Sequence, residues 1–246
     1  MNKLILGVSL LAIIASSSLN STNSIFVNHS RPKLSPEYKL SINTSTKSIL
    51  NEPFLKIIQT LLNYSEQSGS QSIKWKKILN APDSPLVSDQ YYSGLFSGVA
   101  GIRLFFLKLY EYTRNITYLE IAEKPANYVL SQEKTINFTM YWQRSAYDLS
   151  DSYFSQKYGS AGIVQFLIAL YKETKITIYL RNAEIALNSL IDHYITNTSI
   201  GKSWRYSYLG FIPLTGLTYG ISGISSAFLD LYNATNNNTY LSHTYI

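Results

Sequence analysis

Along the chain, apolar positions alternate between dense runs and one-sided stripes at regular intervals. Residues 98–112, GVAGIRLFFLKLYEY, are apolar nearly all round: Val99, Ile102, Leu104, Phe105, Phe106, Leu107 and Leu109 leave no polar stripe. A helix of that pattern is buried on all sides. Residues 117–132 follow with a different pattern, in which Tyr118, Leu119, Ala122, Tyr128 and Val129 alternate with Glu120, Glu123 and Lys124. That is an amphipathic helix with one wet face. Pro125 inside it predicts a kink or a split. Upstream, residues 52–67, EPFLKIIQTLLNYSEQ, predict another amphipathic helix with proline in its first turn.

The alternation recurs in register. GLFSGVAGIRLFFLKLYEYTRNITYL (94–119), SQKYGSAGIVQFLIALYKETKITIYL (155–180) and GLTYGISGISSAFLDLYNATNNNTYL (216–241) align at a spacing of 61. Gly98, Gly159 and Gly220 keep that spacing, as do Gly101, Gly162 and Gly223, then Leu109, Leu170 and Leu231, and Tyr118, Tyr179 and Tyr240. Identity at so many positions of one offset marks a structural repeat. Each unit is an inner helix followed by an outer one. The second inner run is interrupted only by Gln165, and Ala186 stands where the first outer helix has Pro125. The prediction is an all-α fold, an incomplete α/α toroid of about three inner/outer hairpins over residues 49–246. A six-hairpin ring needs more chain, so the sequence reads as a fragment or a reduced relative. The open edge of a half-ring is expected to promote self-association.

Glycine is unfavourable inside helices, yet each inner helix begins with G-x-x-G. Residues three apart share a face, so the pair admits a close neighbour or exposes helix-start N–H groups to a ligand. The glycine strings, with the L-x-L-Y and Y-L that follow, resemble the lanthionine synthetase C-like family. That resemblance implies the toroid, and for cyclising members a zinc held by two cysteines and a histidine, with a further histidine in G-x-x-H-G. This chain departs from the pattern. It has no cysteine, and Tyr219 in GLTYG occupies the motif-histidine position. His29 lies in the linker, His193 on an outer helix and His243 beside the terminus. No metal site and no cofactor are expected in this chain, although zinc would accompany a full-length member.

Candidate chemistry lies in the segments leading into the inner helices. Trp142 and Trp204 stand beside Arg144 and Arg205, with Tyr206 following, and Trp75 precedes the first repeat. Aromatic faces interleaved with arginine suit stacking against a peptide or a sugar, or else serve as lids over the core ends. Candidate ligand-binding residues are therefore Trp142, Arg144, Trp204, Arg205, Tyr206 and the six glycines Gly98, Gly101, Gly159, Gly162, Gly220 and Gly223. Candidate catalytic residues are Tyr219, as hydrogen-bond donor or weak acid, and Asp148 with Asp151, whose pairing suits a glycosidase. The functional expectation is a peptide- or glycan-binding member of the family without the zinc cyclase site. The alternatives are a carbohydrate-active toroid enzyme and a non-catalytic surface glycoprotein.

Composition narrows partners and place. The chain carries +6 net charge with only 15% charged residues, and its bases are scattered, which argues against nucleic acid. Residues 1–17 read as a signal peptide: Lys3, an apolar run from Leu4 to Ala15, then small residues. If retained, that run would anchor the chain to a membrane. Residues 18–48, rich in Ser, Asn and Thr, read as a flexible linker. Export fits the glycosylation acceptors, of which Asn43, Asn63, Asn115, Asn137, Asn197 and Asn233 are candidates, and the expected location is secreted or cell-surface.

Overall fold

The computed structural model describes residues 50–67, 73–75, 93–96, 98–124, 126–131, 133–136, 139–143, 152–157, 159–191, 194–197, 201–204 and 213–244. The predicted signal peptide and linker lie outside the described residues. An outer helix, α1 (Glu52–Asn63), opens the fold. Asn51 caps it by accepting from the Phe54 N–H at 3.4 Å, and Pro53 occupies its first turn, where a missing N–H costs nothing. Its Ile58 and Leu62 enter the core.

Three inner helices of equal length follow at the repeat spacing: α2 (Val99–Thr113), α5 (Ser160–Thr174) and α7 (Ile221–Thr235). They pack side by side, α2 on α5 and α5 on α7. The outer layer comprises α1, then α3 (Ile116–Glu123) with α4 (Ala126–Ser131), then α6 (Thr177–Ile191), and finally the short α8 (Asn238–Leu241). The first outer segment is split around position 125, which is proline, whereas α6 runs unbroken through Ala186. The arrangement is an incomplete α/α toroid of three inner/outer hairpins.

Each inner helix ends in the same device. Thr113, Thr174 and Thr235 turn their hydroxyls back onto the carbonyls of Leu109, Leu170 and Leu231 at 2.7–2.9 Å. The same hydroxyls accept from the N–H two residues on, each at 3.2 Å. The cap residues Arg114, Lys175 and Asn236 are left-handed, with φ 54°, 59° and 56°. A single αL residue ends the helix and turns the chain sharply into the outer helix.

The connections back from outer to inner helices differ from the loops expected. They carry short antiparallel hairpins: β1 (Ser65–Gln67) with β2 (Ile73–Trp75), β3 (Glu133–Ile136) with β4 (Thr139–Gln143), and β6 (Tyr194–Asn197) with β7 (Gly201–Trp204). A further strand, β5 (Ser152–Tyr153), adds to β4. β-branched and aromatic residues, as in EKTI and TMYWQ, favour the extended conformation.

Neighbouring repeats are joined by polar contacts as well as packing. Arg103 is buried on α2 with its guanidinium 5.7 Å from the Phe166 ring centre of α5. Arg114 pairs with Glu173 of the next repeat at 3.4 Å, and Tyr240 meets Glu184 of the preceding outer helix at 3.5 Å.

Tyr118, Tyr179 and Tyr240 share one repeat position, and burial pushes all three phenols above their ordinary pKa. Glu123 adds to this at Tyr179 while Arg103 opposes it; at Tyr240 Glu184 adds to it. Below about pH 10 these groups are protonated in folded and unfolded chains alike, and their contribution is intact. Above that the unfolded phenols ionise first, so stability falls as pH rises through the folded values. Alkaline titration followed by tyrosinate absorbance should therefore show a late-ionising group that appears together with loss of helical circular dichroism. Tyrosines that all ionise in one ordinary step, with the helices intact, would contradict this burial.

Candidate functional site

The turns ahead of the inner helices stack on one another at one end of the ring. Phe96, Lys157 and Thr218 are equivalent positions of successive repeats. The Phe96 N–H donates to the Lys157 carbonyl at 3.3 Å, and the Lys157 N–H donates to the Thr218 carbonyl at 2.9 Å. Gly98, Gly159 and Gly220 cap the inner helices with extended backbone. Gly101, Gly162 and Gly223 lie three residues further on, and a Cβ at any of them would overlap the carbonyl oxygen of Leu95, Gln156 or Leu217 in its own turn. This close approach accounts for the second glycine of each pair.

At the contact between the second and third turns a polar cluster gathers. The Lys157 ammonium donates to the Tyr219 phenol oxygen at 2.6 Å and lies 4.7 Å from its ring centre. Next to it, the buried Gln156 donates from Nε2 to Gln165 Oε1 at 2.7 Å. Gln165 in turn donates to Ser226 Oγ at 3.1 Å and Asp230 Oδ2 at 2.8 Å. A polar line thus descends from the turn between α5 and α7. Gln156 Oε1 is buried without a hydrogen-bond partner. Buried acceptors are rarely left in that state, and a ligand hydroxyl or amide N–H at this place would satisfy it.

Of the residues singled out in the sequence, Tyr219 belongs to this cluster and the six glycines shape the turns around it. Trp142 and Trp204 do not face outward. Both are fully buried, each on the second strand of a hairpin, and their indole N–H groups donate to Val129 O at 2.7 Å and Leu190 O at 2.9 Å. Trp75 does the same to Leu61 O at 2.7 Å. All three indoles are thus buried and bonded to the backbone of an outer helix. Arg144, Asp148, Asp151, Arg205 and Tyr206 lie outside the described residues, as do Asn43 and Asn137. Asn63 and Asn233 are exposed, Asn115 caps α3 by accepting from the Thr117 N–H at 3.1 Å, and Asn197 ends β6.

Lys157, Gln156, Gln165, Ser226 and Asp230 were not singled out beforehand as site residues. Their signal was there in the interruption of the second apolar run by Gln165. The matching positions Leu104 and Ser226 differ from it, so the repeat itself gave no emphasis.

Residues 38–200 match the family described as lanthionine synthetase C-like protein. The chain belongs to that family. No curated protein matches it. Among solved structures, this lanthionine synthetase C-like chain is similar to a selenomethionine derivative of a family 76 glycoside hydrolase, an α-mannanase of Bacteroides thetaiotaomicron. That match has a TM-score of 0.59 at 18% identity and covers 81% of this chain and 54% of the other. A family 76 glycoside hydrolase from a bovine strain of the same species follows at TM-score 0.54 and 13% identity, covering 77% and 39%. A family 76 mannosidase of strain VPI-5482 has TM-score 0.53 at 14% identity, covering 82% and 54%. At these identities the likeness is one of fold, and the chain spans about half or less of each neighbour's length.

Zinc, implied by the family, does not fit the residues present. The sequence has no cysteine, Tyr219 stands at the motif-histidine position, and among the described residues no group of three or more His, Asp or Glu side chains could hold a metal ion. Among the described residues no helix is long and apolar enough to cross a membrane.

Proposed function

We propose that this chain is an exported lanthionine synthetase C-like protein that binds a peptide or glycan at the mouth of its toroid and does not cyclise thioethers by itself. The observation that carries the reading is the buried, unpartnered Gln156 Oε1 beside the Lys157–Tyr219 pair. A buried acceptor next to an ammonium–phenol pair suits a ligand rich in hydroxyl or amide groups. Peptides and oligosaccharides share that chemistry, and apolar ligands do not.

Binding is tested by calorimetric titration with a panel of unmodified peptides and α-mannan oligosaccharides. Tyr219→Phe should weaken binding about tenfold or more, the usual weight of a hydrogen bond involving a charged group. Gln156→Leu should weaken it similarly while leaving the fold intact. Binding unchanged in both variants would remove the site.

A second reading, a carbohydrate-active enzyme, is favoured by the toroid likeness to family 76 glycoside hydrolases. Hydrolysis of α-mannan by the chain, abolished in Asp148→Asn or Asp151→Asn, would establish it. The third reading, a surface glycoprotein without ligand, would follow from an empty panel.

A further inference from the structure

We infer that Asp230 and Gln165 fix which end of the Gln156 amide faces a ligand, and so restrict the site to groups that donate a hydrogen bond. This rests on the reading of a ligand site beside Gln156 and narrows its chemistry. A hydroxyl or an amide N–H fits there, whereas an ether, ester or carboxylate oxygen does not. Asp230 and Gln165 are positioning residues, which act through Gln156 without touching the ligand themselves.

A glutamine side chain turned end for end keeps its shape but exchanges an acceptor for a donor, so its neighbours choose its polarity. An ionised carboxylate only accepts. Gln165 therefore meets Asp230 Oδ2 with its Nε2, at 2.8 Å. Its Oε1 is left to accept, and Gln156 meets it with Nε2 at 2.7 Å. Gln156 Oε1 is then the end of the line, buried and without a hydrogen-bond partner among the described residues. Ser226 Oγ, 3.1 Å from Gln165 Nε2, can accept or donate and does not choose. Turning Gln165 would set its oxygen against the Asp230 carboxylate. Turning Gln156 alone would set its oxygen against that of Gln165. Either costs more than the single acceptor now left over.

Helix packing does not call for this line. One repeat earlier, at the α2–α5 contact, Leu95, Leu104 and Ala169 hold the places of Gln156, Gln165 and Asp230. The three polar residues are thus an addition at one of two equivalent contacts, and they end next to the Lys157–Tyr219 pair. Lys157 alone would favour an anion. Gln156 Oε1 gains nothing from an anion and favours a neutral donor, so the direction of the line decides the ligand class. A site whose buried acceptor would be left unpaired discriminates strongly against an analogue that lacks the donor.

Calorimetric titration of the full chain compares α-mannotriose with its permethylated form, and penta-alanine blocked at both ends with its N-methylated form. At least one unmethylated probe should bind about tenfold or more tighter than its methylated partner. Gln165→Lys then reverses the line. A lysine there donates to Asp230 and to Gln156 Oε1 alike, which turns Gln156 Nε2 to the ligand. The preference should fall about tenfold or more at unchanged circular dichroism. Asp230→Asn, whose amide lets Gln165 turn either way, should lower it less, and stands in where the lysine variant does not fold. A preference unchanged in the folded variant overturns the assignment of Gln165 and Asp230. Nuclear magnetic resonance separates this from the underlying site. The Gln156 side-chain amide signals, identified by their loss in Gln156→Leu, should move in ligand-free Asp230→Asn protein. Signals that stay in place overturn the line even where sugar or peptide binds. Binding of neither unmethylated probe, or tighter binding of the methylated ones, overturns the ligand class even where the signals move.

Discussion

Gly162→Ala is expected to cost about 3 kcal/mol or more, although alanine is by itself the better helix former by about 1 kcal/mol. Gly162 is the third residue of α5. A methyl there would overlap the Gln156 carbonyl oxygen and lie 2.7 Å from Leu95 Cβ and 3.0 Å from the Gln156 carbonyl carbon. These neighbours cannot yield by rotating a flexible side-chain end. The turn is held by the bond from Gly159 N–H to the Ser155 carbonyl, and by Lys157 N–H on the Thr218 carbonyl. Making room would therefore shift one turn and disturb the next, and the steric term outweighs the propensity gain. Gly216→Ala is the control: nothing lies within 4 Å of its added Cβ, so the change should stay within about 0.5 kcal/mol, or gain slightly through a less flexible unfolded chain. Urea denaturation midpoints compare the two. Equal midpoints would mean that the turns do not pack against the inner helices, and the stacked-turn mouth would go with them.

This result would also assign the glycine pair its part in the fold. The second glycine of each pair is filled by its own turn, so the room it leaves is already occupied by protein. Any ligand must instead be recognised by side chains that differ between repeats. Lys157 is of that kind, since its counterparts are Phe96 and Thr218, whereas Tyr219 shares its residue type with Tyr158 and differs only from Ser97.

The repeat was legible because sterics repeat: glycine under each turn, leucine and tyrosine at each helix end, and proline where the outer helix splits. Connections and chemistry were less so. The hairpins are too short to compete with helical periodicity. The left-handed helix ends carry Arg114, Lys175 and Asn236, so no glycine announced them. The tryptophans were open to two readings for a physical reason. An indole beside an arginine has the composition of a binding platform, but whether its face meets ligand or core depends on which way a two-residue strand period points it. Gln156 and Asp230 come together only through the side-by-side packing of α5 and α7, a contact that lies beyond local pattern.

Trp204→Ala should cost about 3–5 kcal/mol, the range for emptying a buried aromatic site. The indole is almost wholly buried, stacks on Phe228 with ring centres 5.6 Å apart, and donates to Leu190 O at the end of α6. It thus joins three elements: strand β7, outer helix α6 and inner helix α7. Trp204→Phe separates the contributions. It keeps most of the volume but leaves the Leu190 carbonyl without its donor, and should cost about 1–3 kcal/mol. Trp142→Ala should behave alike, because Trp142 makes the same bond to Val129 O. Total stability of a domain is about 5–15 kcal/mol, so the double alanine variant is expected to be largely unfolded. Thermal unfolding gives the order, and ligand titration of the folded fraction gives its meaning. A lid requires stability to fall while affinity per folded molecule holds. Affinity lost at unchanged stability would instead make the indole a ligand platform, and would require hairpins that lift away from the core to expose it.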